Sequence, residues 1–205
     1  MPGRAISKYL GNSFDELIDS FIADKVGLSD HFLSVGLSAN LKANLLGYYQ
    51  RKQLFSAGTG NKIQVTQDQL YRSDKIFWLD PLHENVHENE FFALMDKFIS
   101  YLNETCYTGI TGYEFHYTLY ETGSFYKKHI DQFRNDDSRK YSMVMYLNEG
   151  WLAADGGELC IHHSKSQRQH ISPDSGKSVF FKSNELEHEV LVTNKARMSI
   201  TGWLK

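Results

Sequence analysis

The feature that most narrows the fold is a change of rhythm at Tyr113. From there to Lys205 the chain is a series of short β-type runs with no helical pattern between them: Tyr113 to Tyr120, Phe125 to His129, Tyr141 to Leu147, Gly157 to Ile161, Ser178 to Phe181, His188 to Val192 and Met198 to Trp203. Aromatic and β-branched residues fill the runs, and Gly, Asn and Asp punctuate them. Strands this closely spaced, without crossover helices, must pair mainly antiparallel, so an antiparallel sandwich or jelly roll is expected.

Ahead of Tyr113 the pattern is helical. Ser13 opens an S-x-x-E box with Glu16, and Phe14, Leu17, Ile18, Phe21 and Ile22 follow at helical spacing, which predicts an amphipathic helix to about Asp24. Ser38 or Asn40 is expected to cap a second helix, with Leu41, Leu45, Leu46 and Tyr49 on one side. Asn89 is expected to start a third, whose broad apolar face runs from Phe91 to Leu102 and ends near Thr105. These helices should cover one outer face of the β structure. The polar stretch Ser56 to Gln69 reads as a long loop or mobile hairpin, followed by a short strand, Ile76 to Leu79, closed by Asp80-Pro81. With 205 residues, 41% of them apolar, one domain over 1–205 is expected: 1–110 as helical support with the loop and strand, 111–205 as the β core.

Net charge is -3 with acids and bases interspersed, which gives no footprint for a nucleic-acid partner. No apolar run approaches the ~18 residues of a membrane helix, and the first thirty residues carry five acids, so no membrane association and a cytoplasmic location are expected. Cys106 and Cys160 lie far apart and outside any C-x-x-C arrangement, so they read as reduced, mostly buried thiols.

In a strand, residues i and i+2 share a face, so His129 and Asp131 can present an imidazole and a carboxylate to one metal ion. An H-x-D match alone carries little weight, since roughly 0.6 are expected by chance in a chain of this composition. It gains weight because His188 lies in a second strand-like run and Arg197 in a third. Two histidines and one carboxylate leave coordination positions open, as Fe(II) enzymes that activate dioxygen require. A keto acid such as 2-oxoglutarate fills two of them and leaves a far carboxylate that needs a charged, preferably bidentate partner in a dry pocket. Arg197 is the candidate, because an arginine among Met198, Ile200 and Trp203 is costly without an anion.

Two other histidine patterns compete. His83-Glu84-Asn85-Val86-His87 matches the H-E-x-x-H motif of zinc proteases, but its polar flanks after Asp80-Pro81 read as a linker ahead of the third helix. His162 and His163 are strand neighbours that face opposite sides and cannot chelate together, so a surface pair is expected; His116 and His170 are read as surface residues as well.

Taken together, Tyr120-x5-Tyr126-x2-His129-x-Asp131, Tyr146-Leu147-Asn148, Gly156-Gly157-Glu158-Leu159, His188-Glu189-Val190 and Arg197-x3-Thr201-x-Trp203 resemble the 2-oxoglutarate- and Fe(II)-dependent prolyl 4-hydroxylases of the hypoxia-inducible-factor type, in a bacterial form. The resemblance reaches back to Arg72-Ser73-Asp74-Lys75-Ile76-x-Trp78. It implies a mainly β fold with supporting α, a double-stranded β-helix (jelly roll) core with the N-terminal helices on one face. It implies iron on His129, Asp131 and His188, and 2-oxoglutarate held by Arg197, Tyr146, Tyr120 and Thr201 in a slot lined by Leu159, Val144 and Val190. Arg139, Trp203, Tyr126 and Asp74 would receive the substrate, under a mobile finger formed by Ser56 to Tyr71. The implied reaction is hydroxylation of a prolyl residue, at C4, in a protein substrate, with O2 consumed, succinate and CO2 released and ascorbate as reductant. A carboxylate at Asp131, where an Ala or Gly would leave room for halide, favours hydroxylation. Bacterial members acting on elongation factor Tu make that protein a candidate partner by analogy, and a monomer is expected.

Overall fold

A computed structural model describes residues 3–58, 70–132 and 137–205. Helix α1 (Gly3–Asp24) leads into strand β1 (Val26–Ser29), helix α2 (Val35–Gln50), strands β2 (Phe55–Ser56) and β3 (Lys75–Trp78), and helix α3 (Val86–Cys106). Eight strands follow: β4 (Tyr113–Tyr120), β5 (Tyr126–His129), β6 (Tyr141–Tyr146), β7 (Leu159–His162), β8 (Arg168–Ile171), β9 (Ser178–Lys182), β10 (Glu187–Val190) and β11 (Arg197–Leu204). They form a seven-stranded sheet in the order β1-β9-β6-β11-β4-β3-β2 and a four-stranded sheet in the order β5-β10-β7-β8, all paired antiparallel. This is the jelly-roll arrangement of two facing sheets. Among the described residues no helix is long and apolar enough to cross a membrane.

Strand parity divides the interior into two layers. On β4, Phe115, Tyr117 and Leu119 point toward the helices, as do Met198, Ile200 and Leu204 on β11, and they pack there with Leu17, Leu41, Phe91 and Phe98. The alternate residues, His116, Thr118 and Tyr120 on β4 and Arg197, Thr201 and Trp203 on β11, face a cavity between the sheets. Both faces of β4 and β11 are therefore buried, one against apolar helix side chains and one around polar groups.

The helix boundaries depart from the sequence reading. α1 begins at Gly3, so Ser13 lies buried inside it and not at its N-terminus. Glu16 instead accepts a hydrogen bond from Ser29 Oγ (3.1 Å), and Ser20 Oγ accepts from Leu28 N (2.7 Å), which ties the helix to β1. α2 is capped by Ser34, whose Oγ accepts from Leu37 N at 3.1 Å, four residues before the expected Ser38. Its buried stripe is Leu37, Leu41, Leu45 and Tyr48, leaving Leu46 and Tyr49 partly exposed. α3 starts at Val86 because Asn85 Oδ1 accepts from His87 N and Glu88 N, so Asn89 lies within it. β1 and β8 were not foreseen, Cys106 is exposed at the last turn of α3 while Cys160 is buried, and residues 59–69 of the expected finger lie outside the described residues.

Candidate active site

His129 ends β5 and is the register partner of His188 on the neighbouring β10; Asp131 follows two residues after β5. The pairing brings the two imidazoles to a 4.3 Å centroid separation with Asp131 between them. Asp131 Oδ1 lies 3.4 Å from His129 Nε2 and Oδ2 3.5 Å from His188 Nε2. Each ring is fixed from behind: His129 Nδ1 bonds Lys127 O at 2.7 Å and His188 Nδ1 bonds Leu186 O at 3.1 Å. A carbonyl can only accept, so both Nδ1 atoms carry a proton and both Nε2 atoms face the carboxylate, the orientation in which they can bind a metal. Ser142 Oγ donates to Asp131 Oδ2 at 2.6 Å, and the Tyr126 ring stacks on His129 at 3.6 Å.

The electrostatics of the set are coupled. Burial works against ionisation of Asp131, but His188 and His129 outweigh it and hold the carboxyl well below the usual range. Burial and repulsion from His188 push His129 down, while for His188 attraction to Asp131 overcomes burial and raises it. One of three ligand atoms is thus firmly anionic, and the three lie within 4.8 Å of one another, a separation one ion can bridge.

Across the cavity stands Arg197, 1% exposed. Its Nε donates to Gly157 O at 2.8 Å, and its guanidinium carbon lies 4.9 Å from the Tyr120 ring centroid and 5.0 Å from that of Tyr146. Gly157 has φ +66°, and a Cβ there would meet Thr193 and Arg197 Cδ at 2.9 and 3.1 Å, so glycine is what admits the arginine stem. Among the described residues no carboxylate pairs with Arg197. The Tyr146 hydroxyl, buried beside the guanidinium, makes no hydrogen bond of good geometry. A buried guanidinium with one backbone hydrogen bond and no carboxylate partner, next to a buried hydroxyl, marks a place for an anionic ligand. The Tyr120 hydroxyl, its ionisation suppressed chiefly by burial, remains a donor. The cavity measures about 720 Å³, and Val144, Leu159, Val190 and Thr201 line its inner part.

At the outer part Trp203 lies under the Arg139 guanidinium, 3.4 Å from carbon to ring centroid, and Arg139 is held by Glu114 through Nε (3.0 Å) and Nη2 (2.8 Å). Trp203 Nε1 is buried without a partner. Asp74 departs from its expected place. It is 1% exposed, does not line the cavity, and forms a two-pronged ion pair with Arg72 (2.7 and 2.6 Å), whose guanidinium covers Tyr126. Arg72 reaches the cavity instead. Asp74→Ala would strand a buried guanidinium and should cost about 3–5 kcal/mol, read from urea denaturation; adding Arg72→Met should recover much of the loss, because an apolar replacement of the whole pair is close to neutral. A single-variant loss under about 0.5 kcal/mol would show the pair to be dispensable.

His116 also departs from the sequence reading. It is buried in the cavity wall, edge-on to Trp78 (5.0 Å), and burial lowers its pKa to about 4, so it is a neutral imidazole at ordinary pH. Its place two residues before Thr118 and four before Tyr120 on β4 was the available signal. The H-E-x-x-H match is not a helical metal motif: His83 ends a short 3-10 turn, Glu84 is left-handed (φ 51°) and His87 lies in the first turn of α3. His83 Nδ1 pairs with Glu88 Oε2 at 2.9 Å.

Comparison with known proteins agrees with this geometry. The family model of the 2OG-Fe(II) oxygenase superfamily matches residues 115–205. The structure is similar to a Pseudomonas putida prolyl-4-hydroxylase, with 32% identity, a TM-score of 0.83 and coverage of 94% of this chain and 98% of that one. It shares its fold with a Trichoplax adhaerens prolyl hydroxylase solved with a hypoxia-inducible-factor peptide (24% identity, TM-score 0.84, coverage 100% and 93%). The fold is also that of a collagen prolyl hydroxylase of Paramecium Bursaria Chlorella virus-1 (18%, TM-score 0.62, coverage 88% and 96%). The chain belongs to the 2OG-Fe(II) oxygenase superfamily.

Proposed function

We propose that this 2-oxoglutarate- and Fe(II)-dependent dioxygenase hydroxylates a prolyl residue, at C4, in a protein substrate. The observation that carries the co-substrate is Arg197, a buried cation with no acid partner among the described residues, facing the same cavity as the His129, Asp131 and His188 set. The residues fit the metal: two Nε2 atoms and one carboxylate converge, with both rings held in orientation. When bound, iron and 2-oxoglutarate supply the oxidising chemistry, with O2 consumed and succinate and CO2 released.

The chain's part is to bind, orient and exclude water. Arg197 takes the far carboxylate, and Tyr146 and Tyr120 offer hydroxyl donors beside it, with Thr201 on the same wall. Leu159, Val144 and Val190 keep the inner cavity apolar, which strengthens the charge pairing. Ser142 holds Asp131 and Tyr126 steadies the His129 ring. At the mouth, Arg139 clamped by Glu114 fixes the Trp203 plane, whose free Nε1–H can meet a backbone carbonyl of the entering chain, with Tyr126 opposite. The similarity to prolyl hydroxylases, one of them solved with a peptide, supports a proline in a polypeptide. Elongation factor Tu, a cytoplasmic setting and ascorbate as reductant belong to the same proposal.

The test is to compare the proteome of cells with and without active enzyme for prolines heavier by about 16 Da, one oxygen atom, and then to repeat the reaction on the purified target with succinate quantified. Succinate matched to hydroxyproline supports the reading. Succinate coupled to oxidation of a different residue, or a target that is not a polypeptide, replaces it.

A further inference from the structure

The outer face of the small sheet carries a second convergence of metal-binding side chains. On β7, Leu159 and Ile161 point into the core, so Cys160 and His162 point the other way. Cys160 is the register partner of Glu189 on β10 and of His170 on β8, so one residue from each of three adjacent strands lines up across the sheet. Cys160 Sγ lies 3.8 Å from both His162 Nε2 and His170 Nε2, and His162 Nε2 lies 2.9 Å from Glu189 Oε1.

We propose that Cys160, His162 and Glu189, closed by His170, form a second metal site with the ligand character of Zn(II). The first three ligand atoms lie within 4.8 Å of one another, close to the roughly 3–4 Å separations of a tetrahedral zinc centre, and His170 Nε2, 3.8 Å from the sulfur, would swing in as the fourth. The site also has an orienting partner: His170 Nδ1 bonds Glu158 Oε2 at 2.9 Å, which fixes the tautomer that turns Nε2 toward the thiol. A hydrogen-bonded surface cluster needs no sulfur at its centre, whereas here the Nε2 atoms of two imidazoles each lie 3.8 Å from one. Sulfur separates the two sites chemically, since a thiolate with imidazoles selects zinc-class ions, while the nitrogen and oxygen set in the cavity suits Fe(II). His188 and Glu189 are consecutive on β10, so the ion would clip β7, β8 and β10 together on the reverse face of the strand that presents His188 to the cavity.

Cobalt(II) titration of the full chain reads this site directly, because only a sulfur ligand produces a thiolate-to-cobalt charge-transfer band in the near ultraviolet. The expected result is a band saturating at about one equivalent, bleached by Zn(II), and retained in His129→Ala and in Cys106→Ser. Cys160→Ser should remove it. His162→Ala and Glu189→Gln, on the outer face where folding is little at risk, should weaken Co(II) binding at least about tenfold, and Glu158→Gln about 10–100-fold. No thiolate band in the wild type, a band that follows Cys106, or full affinity in both His162→Ala and Glu189→Gln would each overturn the proposal and leave a hydrogen-bonded surface cluster.

Discussion

Arg197→Ala is expected to raise the 2-oxoglutarate concentration for half-maximal turnover by roughly 30-fold or more, with a much smaller effect on kcat at saturation. Removing one partner of a desolvated, hydrogen-bonded charge pair costs about 2–5 kcal/mol, and the arginine is 1% exposed between the Tyr120 and Tyr146 rings. The pair is made equally in the bound and reacting states, because the far carboxylate takes no part in bond breaking, so the loss belongs in binding. Arg197→Lys restores the charge but not the Nε bond to Gly157 O that sets the guanidinium plane, and should recover only part of the affinity. Without ligand the net change in fold stability should be small, because relief of a buried charge with no anion offsets the lost Nε bond to Gly157 O and the lost packing of the stem. Succinate formation measured against 2-oxoglutarate concentration checks this. An unchanged requirement in Arg197→Ala would remove the co-substrate assignment.

How far such a site can be read from sequence depends on which groups are local. His129 and Asp131 are two apart on one extended segment, and Arg197 stands out as a cation inside an apolar strand, so strand parity suffices to nominate them. The same parity predicted β4, β6 and β11 almost to their ends, because their alternation survives burial on both faces. It failed at short edge strands: β8, Arg168–Ile171, has only Ile171 buried, and β1 is buried but four residues long, with Gly27 and Ser29 breaking any apolar alternation.

Partner choice was the second blind spot. Asp74 reads as a residue that receives the substrate, yet it is buried against Arg72 and the arginine, not the acid, meets the cavity. Ser34 displaced Ser38 as a cap because the apolar stripe begins at Leu37, and Asn85 displaced Asn89 because its amide reaches two free N–H groups at once. The caps are local bonds for which neighbouring residues compete, whereas the placement of Arg72 over Tyr126 rests on a tertiary neighbour that local spacing does not contain. The grouping of Cys160 with Glu189 and His170 is the extreme case, since it depends wholly on the register of three strands.

His188→Ala and Asp131→Asn should each lower iron-dependent succinate formation on the order of 10³-fold or more while leaving a folded protein. The asparagine variant is the sharper of the two. It keeps the size of the side chain and an oxygen within reach of Ser142 Oγ, but removes the only anion in the set, so the ion would face two neutral imidazoles and an amide. The fold should tolerate the change, because the carboxylate's partners are two histidines that are content as neutral rings once the charge is gone. His116→Gln supplies the contrast: it alters a buried imidazole of the same cavity wall that lies outside the converging set, so metal affinity should stay within a few-fold of wild type. Mn(II) binding followed by electron paramagnetic resonance, with Mn(II) as a redox-stable stand-in, separates loss of the ion from loss of the fold. Turnover above about a tenth of wild type in both His188→Ala and Asp131→Asn would mean that the reaction centre lies elsewhere in the molecule.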